Sequence, residues 1–289
     1  MKRISALLLA LLLLLSACSE RQEAQPEREE TDPHAGMVLV DTGAGESRWV
    51  TEYPELPVNE LAAARFVPDG AFLRYTGAEV ETLRGIDVSS HQGEIDWEAV
   101  KAAGVEFVML RLGYRGYTEG GLYEDERFRS NAEAAARAGL RLGAYFFSQA
   151  TGPEEAREEA AFVLDLLDAL PAGALTLPVA YDWERIDSEP ARTDAMDGET
   201  LTDCALAFCG ALSEAGYTPA VYAYRYLAYF MYDLGRLAGL TLWIGAPGAH
   251  PDFYYRHALW QYSETGSVPG IQGSVDLDML FLYPEEEGE

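Results

Sequence analysis

Residues 175–184, LTLPVAYDWE, decide how this 289-residue chain is read. An apolar run long enough for a strand buried on both faces ends in two carboxylates separated by one tryptophan. Side chains alternate along a strand, so Asp182 and Glu184 point one way and Trp183 the other, with the two carboxylate-bearing Cα atoms roughly 6.5 to 7 Å apart. Glycoside hydrolysis needs a protonated carboxyl for the leaving oxygen and a second carboxylate to stabilise or attack the sugar cation, commonly about 5 to 10 Å away. Taken alone, the pair reads equally well as an acidic strand end in water.

Outward from this stretch, short apolar segments alternate with helical ones. The strands are expected at 84–88, 106–112, 141–147, 176–183, 218–224, 241–245, 258–262 and 275–280, and the helices at 97–103, 125–138, 153–170 and 199–215. Residues 226–237 are read as helical, and 246–256 and 263–274 as loops. The pattern predicts an α/β fold, a TIM-like (β/α) barrel with an irregular helical ring and a mainly parallel sheet. Asp87, Arg111, Phe147, Asp182 and Glu184 then fall at the C-terminal ends of strands, where such barrels do their chemistry. Asp96 is expected to cap the first helix and Trp97 to pack it on the barrel.

Before the barrel, residues 36–83 read as a small β-rich extension. Its ARFVPDGAFLRYTG stretch (64–77) has a turn signal at Pro68-Asp69-Gly70 between aromatic-rich arms. Residues 18–35 are rich in Glu and Pro and too poor in apolar side chains to fold, which predicts a disordered tether. Residues 1–17 have a basic start (Lys2, Arg3) and an apolar run too short to span a bilayer, as a secretory leader does. The catalytic barrel is assigned 84–289.

Leu15-Ser16-Ala17-Cys18 is similar to a bacterial lipobox. That implies lipidation of Cys18 and an extracytoplasmic protein held to the cell membrane. Without residues 1–17 the charge moves from −27 to −29, since 48 acids then face 21 − 2 = 19 bases. So acidic a chain repels nucleic acid and other polyanions. A wall substrate would be held by stacking and hydrogen bonds. Cys204 and Cys209 lie five apart on one helix and diverge by roughly 140°, so they are expected as buried thiols. The scattered histidines form no zinc pattern, and no cofactor or metal is expected.

The stretch RGIDVSSHQGEIDWEAV (84–100), followed by FVMLRLGY, GAYFFSQA, AYDWE, LWIG, WQY and VDLDMLF, resembles the glycoside hydrolase family 25 muramidases, the Chalaropsis-type lysozymes. The resemblance covers residues 84 to 283. It implies a lysozyme cutting the β-1,4 bond between N-acetylmuramic acid and N-acetylglucosamine. The family's G-I-D-V-S aspartate matches Asp87, its D-x-E pair Asp182 and Glu184, and its late V-D-x-[ND] aspartate Asp276. Crowding four carboxylates at one mouth should keep at least one protonated at neutral pH. Glu184 is assigned the general acid. Asp182 is expected to stay charged, stabilising the cation or orienting a reacting 2-acetamido group. Retention by acetamido participation and inversion both remain open. Asp278 shares a face with Asp276 and is a secondary candidate.

Aromatics supply the expected sugar platform: Tyr145 with Phe147, Trp260 with Tyr262, then Tyr114 and Tyr222. Arg111 is a further candidate for substrate contact. His91 stands where related sequences often have His-Trp, and Leu242-Trp243-Ile244-Gly245-Ala246-Pro247 lacks the tyrosine of the family's L-W-I-A-x-Y. The expected partners are peptidoglycan glycan strands and, through its lipid, the membrane, with the protein a monomer. A chitinase-like barrel is disfavoured because Pro178 and Ala180 stand where it needs aspartates. An inactive, lipid-anchored glycan-binding protein is the alternative, opposed by the four intact acids.

Overall fold

The computed structural model describes residues 32–43, 45–171, 173–187 and 190–284. The expected leader, Cys18 and the tether up to residue 31 lie outside the described residues. A compact unit begins at Gly36. It opens with two antiparallel hairpins, β1 (Met37–Asp41) with β2 (Ser47–Thr51), and β3 (Phe66–Asp69) with β4 (Phe72–Tyr75). The second turns at Gly70, whose φ of 66° suits glycine.

The barrel strands are β5 (Glu81–Val88), β6 (Phe107–Arg115), β8 (Arg141–Ser148), β9 (Val179–Trp183), β10 (Pro219–Tyr224), β11 (Thr241–Gly245), β12 (Leu259–Gly266) and β13 (Val275–Leu282). A short β7 (Leu122–Glu124) pairs with the outer end of β6. The sheet runs β5-β13-β12-β11-β10-β9-β8-β6 and closes through β5–β6, giving an eight-stranded barrel. The other seven barrel strands pair in parallel with one another, whereas β13 is antiparallel to both β12 and β5. Only residues 267–274 separate β12 from β13, too few for the crossover a parallel pair needs.

Alternation along the strands makes two apolar layers. Leu83, Phe107, Met109, Leu177, Ala180, Ala220, Leu259 and Leu280 fill the barrel interior below Tyr222 and Trp243. Two glycines make room: a Cβ on Gly85 would run into the Phe107 ring, and one on Gly143 into the Met109 side chain. Outward residues such as Ile86, Val108, Phe146, Tyr181 and Trp183 join the core beneath the helices.

Those helices are α1 (Trp97–Ala102), α2 (Phe128–Arg137), α3 (Pro153–Leu167), α4 (Gly198–Glu214) and α5 (Arg225–Phe230). Asp96 caps α1, its Oδ1 accepting from Ala99 N at 3.1 Å, and Trp97 is buried. The last helix is shorter than its apolar pattern suggested. Cys204 and Cys209 are free and buried on α4.

Among the described residues no helix joins β11 to β12 or β12 to β13. Residues 36–83 cover that side instead. Phe66 meets Trp260 edge-on at 5.5 Å and Phe281 at 6.3 Å. Residues 53–59 run along the loop before β12, with Asn59 N donating to Tyr254 O at 2.8 Å and Arg256 N to Pro57 O at 2.7 Å. The extension completes the outer layer that βα units would otherwise supply.

Candidate active site

The cleft lies at the barrel mouth and is lined by acids from four strands or their extensions: Asp87, Asp182 with Glu184, Glu264 and Asp276. Asp87 and Asp276 are direct partners across the β5–β13 ladder. Because β13 runs antiparallel, its beginning reaches the same mouth as the ends of the parallel strands. Asp182 closes β9, and Glu184 follows two residues on, facing the same cleft.

Burial sets the protonation of these groups. Glu184 is pushed up to about 7 by desolvation, then by the charges of Asp276 and Glu264. Asp276 is raised to about 6 by burial and by Glu264. Asp87 is driven well above the carboxylate range by burial and by Asp278 and Asp276 beside it. Asp182 also rises well above that range through burial and the adjacent Glu184, with Arg111 pulling the other way. Asp182 is 3% exposed and its Oδ1 has no hydrogen-bond partner among the described residues. Burial and mutual repulsion thus keep the Asp182–Glu184 pair from ionising fully near neutral pH.

A polar network holds the floor. Tyr222 OH donates to Gln261 Oε1 at 2.7 Å, and Gln261 Nε2 donates to Asp87 Oδ2 at 2.8 Å. Asp278 is fully buried below, accepting from Trp243 Nε1 at 2.9 Å, and burial raises it to about 8. A second network holds Glu184: Gln149 Nε2 donates to the Glu184 carbonyl at 2.9 Å, and Thr193 Oγ1 donates to Gln149 Oε1 at 2.6 Å.

Arg111 is the one Lys or Arg lining the cleft among the described residues. Its Nε donates to Asp125 Oδ2 at 2.8 Å and its Nη2 to Ser90 Oγ at 3.1 Å. Asp125 thus neutralises it and fixes its direction. His91 lines the cleft from the loop after β5. No group of His, Cys, Asp or Glu among the described residues is arranged to hold a metal ion.

The expected aromatics divide. Tyr145, Phe147 and Tyr222 line the cleft, while Tyr114 stands beside it, packed under the Arg111 guanidinium at 5.5 Å. Trp260 and Tyr262 require correction. They face outward, tilted on each other at 5.2 Å beneath the β3–β4 hairpin, with Trp260 Nε1 donating to Ala246 O at 2.8 Å. Gln261 between them points inward. Sequence reasoning also passed over Tyr224, whose hydroxyl bonds Glu264, and Trp243. Alternation along W-Q-Y leaves either facing open, and the inward one lets Gln261 both donate to Asp87 and accept from Tyr222.

The sequence pattern of the glycosyl hydrolases family 25 matches residues 86–271. The chain is 31% identical over 198 residues to the autolytic lysozyme of Clostridium acetobutylicum, covering 68% of this chain and 55% of that protein. It is 29% identical over 207 residues to lysozyme M1 of Streptomyces globisporus, covering 69% and 68%. The structure of the modular autolysin LytC from Streptococcus pneumoniae aligns with a TM-score of 0.58 at 24% identity, over 86% of this chain and 57% of that one. The chain thus spans little more than half the length of the first of these lysozymes.

Proposed function

Because the chain belongs to family 25 of the glycosyl hydrolases, we propose that it is a muramidase cutting the β-1,4 bond between N-acetylmuramic acid and N-acetylglucosamine in peptidoglycan. The names of its relatives, two of them lysozymes, support the substrate class. The observation that carries the reading is the Asp182–Glu184 pair at the mouth, with Glu184 raised to about 7. Such a group is protonated often enough near neutrality to act as an acid and deprotonates readily enough to act next as a base.

Glu184 serves as general acid and then base, and Asp182 orients the 2-acetamido group. An acetamido N–H reaching the unpartnered Asp182 Oδ1 would stabilise its charged form and lower its pKa, leaving Glu184 as the group that carries the proton. Asp87 and Asp276 shape the charge of the floor, while Arg111, Tyr145, Phe147 and Tyr222 meet the sugars. The protein acts as a monomer outside the cytoplasm, tethered through lipid on Cys18, with residues 18–35 as spacer.

Digestion of purified peptidoglycan, with mass spectrometry of the new reducing ends, tests the reading. Ends at N-acetylmuramic acid are expected. Ends at N-acetylglucosamine, or no release, would overturn it.

A further inference from the structure

One row of side chains crosses six strands at the level of the cleft. Register partners run Trp243 to Tyr222, Tyr222 to Asp182, Asp182 to Phe147, Phe147 to Tyr114, and Tyr114 to Tyr123. Residues paired across a ladder share a face, so all six project to the cleft side of the sheet. Strands in a closed barrel are tilted and staggered, so a row taken across them climbs along the barrel axis. Exposure follows the climb: Trp243, Tyr222 and Asp182 are buried, Phe147 and Tyr114 are half-buried, and Tyr123 is 47% exposed.

Two local departures from regular structure build the outer half of this ramp. The β6–β8 register shifts between Arg111 and Gly113, a bulge that puts both Arg111 and Tyr114 on the cleft face although they are three residues apart. Gly113 then lets β7 approach, since a Cβ there would run into the carbonyl oxygen of Tyr123. The result is a graded stack, with the Arg111 guanidinium over Tyr114 at 5.5 Å and Tyr114 stacked on Tyr123 at 5.3 Å, planes 27° apart. Neither β7 nor its tyrosine closes the barrel. The outer ring is held by its neighbours yet left open to water.

We propose that Tyr114 and Tyr123 form an outer sugar subsite, which takes a pyranose ring of the glycan strand where it leaves the cleft beside Phe147. The proposal rests on the muramidase reading. The occupant follows from continuity: the ramp begins at Asp182, its rings offer flat apolar faces suited to the apolar faces of sugars, and at about 4.8 Å per strand it extends the cleft by roughly 10 Å. Phe147 and Tyr114 bridge the distance between the reacting acids and the exposed ring.

The test compares peptide-free peptidoglycan strands of two lengths, tetrasaccharides and long polymers, as substrates for the wild-type protein, Y123A and Y123F. Loss of the ring in Y123A should raise the half-saturating concentration for long strands about three- to tenfold, the scale of one stacking contact. That loss should exceed the loss on tetrasaccharides several-fold, leave kcat for long strands unaltered, and be absent in Y123F. Equal losses on both lengths would mark Tyr123 as structural and overturn the subsite, as would wild-type behaviour of Y123A. If the wild-type protein cleaves neither substrate, the muramidase reading falls first and this occupant with it.

Discussion

Asp276 faces Asp87 across the antiparallel β5–β13 ladder, so the last strand brings its carboxylate to the mouth from its beginning while the first brings one from its end. Asp276 raises Asp87 by repulsion, whereas the hydrogen bond from Asp87 draws Asp276 down, and Asp276 in turn adds to the rise of Glu184. Burial lifts Glu184 to about 7, and this neighbour on a different part of the sheet adds to the rise.

Replacing Glu184 with glutamine keeps the shape of the side chain and removes its proton chemistry. The rate on peptidoglycan should fall by about two to four orders of magnitude, the usual scale for general acid–base catalysis. Turbidity clearance by E184Q close to the wild-type rate would remove Glu184 from the acid role.

Activity should decline as pH rises through about 7, where Glu184 loses its proton. Asp276 lifts that value by repulsion, so D276N should move the alkaline limb of the kcat/KM profile to lower pH. A limb that stays in place or moves upward would show that another group controls it.

Burial makes Asp278 hold its proton to about 8 in the fold, against 3.8 for an ordinary aspartate. The native state therefore binds more protons than the unfolded chain between those values, and stability falls as pH climbs through that window. Asparagine keeps an oxygen for Trp243 Nε1 and buries no charge. The melting temperature of D278N should match wild type near pH 4, exceed it increasingly up to about pH 8 and then level off. A constant offset across that range would contradict the assignment.

Gln149 ties the Glu184 carbonyl to Thr193. Q149A leaves both groups short of a partner in a buried site, at a cost of about 1–3 kcal/mol in unfolding free energy. It should also let Glu184 drift, lowering kcat by up to about a hundredfold. Glutamate at 149 can accept from Thr193 but cannot donate to the carbonyl, so Q149E should fail to restore kcat. Full recovery in Q149E would refute the clamp.

Trp260 packs outside the barrel against Phe66. W260A should cost about 3–5 kcal/mol in chemical denaturation, as for other large-to-small core changes. Measured well below its melting temperature, kcat should stay within about twofold of wild type. A selective rise in KM would return Trp260 to the cleft.

Strand positions were legible because apolar runs between helical segments carry a strong periodic signal, and the acids followed from Asp182 and Glu184 being two apart. Facing was harder. Along W-Q-Y, alternation allows either the aromatics or the glutamine to point inward, and the choice depends on Phe66, nearly 200 residues earlier in the chain. Tyr114 depended on a bulge that spacing alone does not announce. The direction of β13 was readable in principle, since residues 267–274 are too few for a crossover.

The closing strand also sets where this protein can be cut. The family pattern ends at residue 271, ahead of Val275–Leu282. A fragment trimmed to that boundary would be an open gutter of seven staves, with the edges of β5 and β12 unpaired and free to zip onto other chains. It would also leave Asp276 behind, so its silence in an assay would report careless surgery and say nothing about the enzyme.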